Sequence, residues 1–309
     1  MRSTGGESLW QAQAGLLTAS AAVATIRSMS KPDIANIERK KARLESIITE
    51  AGSAVVAYSG GVDSTLLAHI THQQLGKQMI AVTAESSTYP EFQLNDAIEF
   101  AEQRGIPHML IKSRETEVPQ FAANAPDRCY HCKKALLTEL RRIAQQKGFS
   151  CIFEGTNVDD HTDYRPGMRA VRELEVRSPL AEAGFSKSEI RELSKREGLP
   201  TWDMPSYACL ASRFPYGVGI TKERLAKVER AEDVLRELGF KQFRVRYHGD
   251  VARVEIAPEE LNHALKTEMI SRISKGVRAA GFTYAALDLE GYRQGSMNLT
   301  LDNGESDSD

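Results

Sequence analysis

The chain has 309 residues, of which 41% are hydrophobic and 27% are charged, a composition typical of a globular protein with a sizeable core. Its 40 Lys and Arg residues against 42 Asp and Glu residues give a formal net charge of −2. This balance excludes a global attraction to nucleic acid or to anionic membranes, although it leaves a local basic patch open. Four cysteines in so long a chain exclude a disulfide scaffold.

The N-terminal segment, residues 1–31, is expected to be a disordered extension. Its apolar stretch AGLLTASAAVAT is too short to span a bilayer, and it lacks a strongly basic start and a clear cleavage site. A transit peptide stays open as an alternative, because the segment is poor in acidic residues. We expect a cytoplasmic protein that binds neither membranes nor nucleic acid.

Short apolar runs alternate with amphipathic segments between residues 33 and 157. Helical spacing predicts helices in DIANIERKKARLESIITEAG, PEFQLNDAIEFAEQRGI and CKKALLTELRRIAQQKGF. Strands are predicted in VVAY, QMIAVTAES, HMLIKS and CIFEGTN. This alternation predicts an α/β fold with a doubly wound, mostly parallel sheet. In such sheets ligands bind beyond the carboxyl ends of the strands.

The pattern changes near residue 207. Residues 222–238 form a long charged helical segment, and QFRVRYHGDVARVEIAP predicts a β-hairpin that turns at Gly249 and Asp250. A helix and the strand FTYAALDLEG follow. We therefore expect a sheet domain over residues 32–206, a smaller α+β C-terminal lobe over residues 207–300 and a disordered tail over residues 301–309.

A glycine-rich turn follows the first predicted strand in VVAYSGGVDST, residues 55–65. A strand-loop-helix arrangement directs backbone N–H groups and a helix N-terminus at an anion. The Walker lysine and the pattern G-x-G-x-x-G are both absent, which argues against a kinase or a GTPase. The turn predicts a phosphate site, with a ligand-free βα turn as the alternative.

The turn S-G-G-x-D-S resembles the pyrophosphate loop of the PP-loop ATP pyrophosphatase family, which has the adenine nucleotide alpha hydrolase-like (HUP) fold. The resemblance implies ATP cleavage between the α- and β-phosphates, adenylation of a substrate oxygen, and a role for Asp63 in holding Mg²⁺. A second turn, EGTNVDD, would lie against the nucleotide; an ordinary turn is the alternative. The implied ATP and pyrophosphate ligands are Ser59, Gly60, Gly61, Asp63, Ser64, Gly155, Thr156, Asn157 and Asp159.

Three cysteines favour a sulfur-inserting PP-loop enzyme over an amide-forming synthetase, which needs no thiol. Cys129 and Cys132 form a C-x-x-C motif, and Cys209 lies in YACLASRFPYG. Basic neighbours are expected to favour thiolates at neutral pH; they are Arg128, Lys133, Lys134 and Arg213. The alternatives are a zinc site completed by His131 or His161, a redox dithiol, and inert surface cysteines. The fourth cysteine, Cys151, opens a predicted buried strand and is expected in the core.

The segments CLASRFPYG, DYRPGMRAVREL and LDLEGYRQGSMN resemble sequences of the LarE family, and the resemblance covers about residues 33 to 300. LarE proteins are ATP-dependent sulfur transferases of nickel-pincer nucleotide synthesis. The resemblance implies that pyridinium-3,5-biscarboxylic acid mononucleotide is the substrate and that its carboxylates become thiocarboxylates. The sulfur would come from Cys209 itself, which would become dehydroalanine, or from a [4Fe-4S] cluster on Cys129, Cys132 and Cys209.

The resemblance further implies a homo-oligomer with functional partners in nickel-pincer cofactor assembly. Ser212 and Arg213, next to Cys209, are expected to act with it on the substrate. Five charged residues are assigned to the substrate and its phosphate, and for each the alternative is a solvated surface charge; they are Arg165, Glu232, Arg244, Glu255 and Arg293.

Two other functions stay open on the sequence. A tRNA thiolation enzyme shares the PP-loop and often the C-x-x-C motif, but it would need a basic RNA-binding module. A non-catalytic module that senses AMP or carries an iron-sulfur cluster belongs to another class. Release of pyrophosphate that depends on the pyridinium substrate would exclude such a sensor.

Overall fold

The computed structural model describes residues 33–162, 166–205 and 208–293, without the side chains of residues 161 and 162. All of these residues belong to one compact unit, Pro32–Asp309. The strands within these ranges are β1 (Ala54–Ala57), β2 (Met79–Glu85), β3 (His108–Lys112), β4 (Cys151–Phe153), β5 (Phe243–His248), β6 (Val251–Ile256) and β7 (Tyr284–Leu287).

The helices in the same ranges are α1 (Ile34–Ala51), α2 (Val62–Leu75), α3 (Glu91–Gln103), α4 (Pro119–Ala122), α5 (Arg128–Lys147), α6 (Gly167–Glu173), α7 (Pro179–Glu182), α8 (Lys187–Arg196), α9 (Lys222–Glu237), α10 (Pro258–Ala264) and α11 (Thr267–Ala279). Of the helices that the structure describes, none is both long enough and apolar enough to cross a membrane.

Strands β1–β4 form a parallel sheet in the order β3-β2-β1-β4. Alternate residues of β1 face opposite sides of this sheet. Ala54 and Val56 pack with side chains of α1, α2, α3 and α8, whereas Val55 packs with side chains of α5 and α6. Helices therefore cover both faces, and the predicted α/β fold with a doubly wound parallel sheet is confirmed.

Helix α5 begins at Arg128, four residues before the start that the sequence pattern predicts. Both cysteines of the C-x-x-C motif consequently lie near the N-terminus of a helix, where Cys129 and Cys132 are three residues apart and share one side. The helix follows α4 and a turn, and no strand directly precedes it.

Strands β5, β6 and β7 form a second sheet in that order. The β5–β6 hairpin turns at Gly249 and Asp250, as predicted, and β7 pairs parallel with β6. Side chains of α9 and α11 pack on this sheet in a separate cluster that includes Leu225, Val245 and Val277. Where the sequence suggested one helix before the last strand, there are two, α10 and α11. Because both sheets lie in one compact unit, a domain boundary at residue 206 stays a prediction.

Candidate active site

A cavity of about 710 Å³ lies at the carboxyl ends of β1–β4. The turns after β1 and β4 form part of its wall, and the first residues of α8 and one side of α5 close it. Ligand sites of doubly wound sheets occur at this edge. The structure thus brings together the two turns that the sequence analysis assigned to one site.

The turn after β1 has the geometry of an anion site. Gly60 has a φ of 64°, and a Cβ added there would lie 2.7 Å from the Cβ of Ala97, so only glycine fits without a shift. The Oγ of Ser64 lies 3.0 Å from the Oγ of Ser59 and accepts the Ser59 N–H at 3.2 Å. Helix α2 starts at Val62, so its N-terminal N–H groups and its dipole favour an anion at this point.

The turn after β4 packs directly against the first turn. A Cβ on Gly155 would lie 3.2 Å from the backbone nitrogen of Ser64, so a larger residue here would require the two turns to shift by a few tenths of an ångström. Asn157 donates from Nδ2 to Asp63 Oδ1 at 3.3 Å. Thr156 is buried and donates from its Oγ1 to Glu154 at 2.9 Å. These contacts hold Asp63 between the two turns.

Lys187, at the start of α8, forms an ion pair with Asp63 Oδ2. Its backbone N–H also donates to Asp159 Oδ2 at 2.8 Å. This lysine was not among the predicted site residues. Arg191, one helical turn later, lines the same cavity. The pattern of Ser186 and Glu189 marks the start of a helix, with both bonds of a capping box present. It gives no information about which loop that helix contacts.

The three cysteines lie close enough to interact electrostatically, and at Cys129 and Cys132 the expected effect of the basic neighbours on the thiols is outweighed. Burial raises the pKa of Cys132 and of Cys129, and the proximity of Cys209 raises both further. The basic side chains are engaged elsewhere: Lys133 Nζ lies 2.8 Å from Glu154, Lys134 Nζ 2.9 Å from Glu173, Arg213 Nε 2.9 Å from Glu232, and Arg128 Nη1 2.6 Å from Asn124.

Among the residues that the structure describes, no group of three or more His, Cys, Asp or Glu side chains is arranged to hold a metal ion. Cys132 lines the cavity, while His131, the described candidate for a fourth zinc ligand, lies 3.1 Å from Asp127. The present arrangement of thiols does not fit a cluster, and the cluster stays a prediction. Cys151 is partly buried beside the sheet core, and its thiol donates to the Ser53 carbonyl at 3.3 Å.

Arg213 fixes the backbone that carries Cys209. Its side chain is 1% exposed, and its Nη1 donates to the carbonyls of Ala208 at 2.6 Å and Cys209 at 3.0 Å. Its Nε and Nη2 contact the two carboxylate oxygens of Glu232 at 2.9 and 3.0 Å. Ser212 accepts at 3.0 Å from the same guanidinium. Direct action of Ser212 and Arg213 on the substrate stays a prediction.

The predicted C-terminal residues form a buried charge network around this turn. Glu255 accepts from Arg246 at 2.9 and 2.7 Å, and Arg246 also donates to the Ser212 carbonyl at 3.1 Å. Arg246 was not among the predicted site residues, although its i, i+2 spacing from Arg244 places both on one face of β5. Burial and the nearby Arg213 lower the pKa of Arg244, whose guanidinium lies 5.1 Å from the Tyr292 ring centre.

Two of the five charged residues that were assigned to the substrate have not been included in this network. Arg293 forms an exposed ion pair with Glu290. Arg165 lies outside the described residues, as do parts of two of the three segments that carry the family resemblance. For these two arginines, substrate binding stays a prediction.

Comparisons with known proteins agree with the fold and the turns. The NAD synthase family pattern matches residues 36–135. An uncharacterized protein of Synechocystis sp. is 42% identical over 265 residues, 86% of this chain and 99% of that protein. The pyridinium-3,5-bisthiocarboxylic acid mononucleotide synthase of Lactiplantibacillus plantarum is 35% identical over 269 residues, 87% of this chain and 97% of the enzyme.

A more distant relative shares a smaller part of the chain. The GMP synthase of Aeropyrum pernix is 27% identical over 216 residues, 63% of this chain and 41% of that enzyme. Similarity to the synthase of Lactiplantibacillus plantarum, in contrast, extends over nearly the whole length of that enzyme. With the parallel sheet and the paired turns in place, this similarity shows that the chain belongs to the LarE family of PP-loop sulfur transferases.

Proposed function

We propose that the protein adenylates the carboxylates of pyridinium-3,5-biscarboxylic acid mononucleotide with ATP and converts them to thiocarboxylates, with release of AMP and pyrophosphate. One observation carries this proposal: the PP-loop and Cys132 line the same cavity. The turn that carries Cys209 is joined to its rim, because the Leu210 N–H donates to the Thr88 carbonyl at 2.8 Å. This link supports a role for the Cys209 thiol at an adenylate formed in the cavity.

The nucleotide half of the reaction follows from the turn after β1. The N–H groups at the start of α2, with Ser59 and Ser64, bind the pyrophosphate portion of ATP. Lys187 and Arg191 add positive charge beside it, which offsets the charge of the phosphates as pyrophosphate departs. Asp63 and Asp159 are the carboxylates that would hold Mg²⁺, which supplies charge neutralisation at the phosphates. Lys187 would then exchange its contact with Asp63 for one with a phosphate oxygen.

The sulfur half, with Cys209 as the donor, begins from an activated carboxylate. A substrate carboxylate oxygen attacks the α-phosphate and displaces pyrophosphate, which gives an acyl adenylate. The Cys209 sulfur attacks the acyl carbon, its proton passes to a base or to water, and AMP leaves. Removal of the Cα proton then breaks the Cβ–S bond, so that the thiocarboxylate departs with the sulfur and dehydroalanine remains.

Product analysis after mixing the full-length protein with ATP, Mg²⁺ and the pyridinium dicarboxylate tests this function. We expect pyrophosphate, AMP and a thiocarboxylate, each dependent on the substrate. Cys209→Ser should still release pyrophosphate but form no thiocarboxylate, whereas Cys151→Ser should behave as the wild type. Absence of substrate-dependent pyrophosphate from the wild type would contradict the proposal.

The sulfur source is tested by the mass of the protein after turnover. Loss of the mass of one H₂S at Cys209, with no more than one sulfur transferred per chain, identifies the cysteine as the donor. An unchanged mass with many turnovers, and iron and sulfide in anaerobically purified protein, identifies the cluster on Cys129, Cys132 and Cys209. The homo-oligomer and the partners in nickel-pincer cofactor assembly belong to the same proposal, and the mass of the particle in solution tests the first of them.

A further inference from the structure

Four carboxylates are buried within the described ranges, and three of them have a cationic partner. Glu154 contacts Lys133 at 2.8 Å, Glu232 contacts Arg213 at 2.9 Å, and Glu255 contacts Arg246 at 2.7 Å. Such pairing is the usual condition for burying a charge. Glu115 is the exception: it is 2% exposed and forms no ion pair with a described residue.

Hydroxyl groups surround the Glu115 carboxylate. Thr88 Oγ1 donates to its Oε1 at 3.2 Å, and Ser86 donates to the same oxygen. Ser113 donates to Oε2. These donors hold the side chain in one orientation but supply no positive charge, and Oε2, which accepts from one hydroxyl, retains acceptor capacity for a further partner.

Glu115 also lies where the sulfur chemistry is proposed to occur. It lines the cavity together with Cys132, and its charge acts on that thiol. Thr88, which donates to Glu115, accepts the Leu210 N–H at 2.8 Å through its carbonyl. The carboxylate is therefore linked by one residue to the turn that carries Cys209.

The ligands proposed for this cavity are mostly anionic, and Lys187 and Arg191 line it as their counterparts. A carboxylate in such a site would repel phosphates and substrate carboxylates. ATP carries no permanent cation, whereas a pyridinium mononucleotide carries one positive charge, on its ring. We infer that Glu115 is the residue that recognises the pyridinium cation and so orients the substrate ring beside the cysteines; the inference rests on the proposed function.

The test compares two ligands that differ in ring charge. One is the pyridinium dicarboxylate mononucleotide; the other is its 1,4-dihydropyridine form, made by hydride reduction, which keeps the phosphate and both carboxylates but has a neutral ring. Calorimetric titration of the full-length protein should show a preference of about tenfold or more for the cationic ligand. In Glu115→Gln this preference should fall to near unity, while the KM for ATP stays unchanged.

Glu117→Gln is the matched control, because Glu117 is an exposed carboxylate in the same short turn; it should keep the wild-type preference. Glu115→Asp, which retains the charge, should recover part of it. A wild type without preference overturns the inference, and that comparison needs no variant to fold. If Glu115→Gln keeps the full preference for the cationic ligand, the inference is also overturned. The same holds if the variant changes only the KM for ATP, because a raised KM would assign Glu115 to the adenine. A wild type that releases no pyrophosphate with the pyridinium ligand overturns the proposed function itself.

Discussion

At the scale of single residues, Lys187 places a positive charge beside the PP-loop. In a Walker loop, the corresponding charge comes from a lysine of the loop itself. Lys187 pairs with Asp63, which is 124 residues away in the sequence. The pair crosses the region where phosphate oxygens and Mg²⁺ are proposed to bind. One lysine can therefore both occupy Asp63 before ATP binds and contact a phosphate afterwards.

Substitution of Lys187 by Met should weaken ATP binding. We expect the KM for ATP to rise about tenfold or more, because a charge-assisted contact to phosphate is lost. The melting temperature should change little, since the ion pair with Asp63 is partly exposed. Lys195→Met is the control on the same helix, because Lys195 does not line the cavity. An unchanged KM in Lys187→Met would exclude contact between this lysine and the nucleotide.

The Arg213–Glu232 pair should matter for stability as well as for position. Replacing Arg213 by Met leaves Glu232 buried without its cation, a change that costs about 3–5 kcal/mol of unfolding free energy. Burial raises the pKa of Glu232, but Arg213 and the Val245 N–H together hold it below its ordinary value of 4.5. A lowered pKa stabilises the folded state above the unfolded value, and this stabilisation is lost as the pH falls through the folded value.

In Arg213→Met the pKa of Glu232 is raised by burial without the cation that lowers it, so the stability difference from the wild type should be largest at neutral pH and above and should shrink as the pH falls into acid. Urea unfolding at several pH values measures it. Arg142→Met, which removes an exposed pair with Glu139, should leave the stability nearly unchanged. A difference that stays constant into acid would show that Arg213 stabilises the protein by packing and not through Glu232.

At the scale of secondary-structure elements, local signals predicted most boundaries. Asp33 caps α1 by accepting from the N–H groups of Ala35 and Asn36 at 3.1 and 3.3 Å, and Gly52 ends it with a φ of 70°. The start of α5 was missed because the residues before Cys132 show no apolar period. The contact of α8 with the PP-loop was missed for a different reason: it depends on tertiary packing, and sequence spacing does not encode it.

The candidate site was predictable to a similar extent. The two glycine-containing turns could be found because each is a short pattern at the end of a strand. Glu115 could not be found in this way, because the pattern KSRETEV does not show which of its two glutamates is buried. The sequence also could not show how far basic neighbours act on the thiols, because Lys133 and Lys134 form ion pairs with carboxylates from other elements.

Gly60→Ala should be more disruptive than the same substitution at another glycine with a left-handed backbone. Both Gly60, with a φ of 64°, and Gly148, with a φ of 76°, adopt a conformation that costs alanine about 1–2 kcal/mol. Only at Gly60 would the new Cβ also meet another atom, the Cβ of Ala97 at 2.7 Å. We expect Gly60→Ala to be less stable than Gly148→Ala and to lose ATP binding, as thermal unfolding and nucleotide titration would show. Equal stability and intact binding would contradict this interpretation of the loop.

At the scale of the whole molecule, hydrogen bonds connect the region of the parallel sheet to the region of the second sheet. Asn124, fully buried, donates to the carbonyls of Pro215 at 2.7 Å and Val218 at 3.0 Å. The Glu91 N–H at the start of α3 donates to Glu229 of α9 at 2.8 Å. These contacts hold the C-terminal part against the region that forms the cavity, and in the proposed reaction this position is a condition for sulfur transfer.

Unfolding should accordingly be a single cooperative transition for residues of both sheets. We expect fluorescence and circular dichroism to report the same midpoint in urea. Asn124→Ala should lower that midpoint, because two partly buried carbonyls lose their donor. Two separate transitions in the wild type would show instead that the predicted domains, residues 32–206 and 207–300, unfold independently.

The central claim is that ATP activates a substrate carboxylate as an acyl adenylate. Its most direct test uses pyridinium dicarboxylate labelled with ¹⁸O in the carboxyl groups, followed by mass spectrometry of the products. Attack on the α-phosphate predicts one labelled oxygen in AMP for each thiocarboxylate formed, and no label in pyrophosphate. Label in pyrophosphate or inorganic phosphate, or thiocarboxylate formed beside unlabelled AMP, would contradict the account.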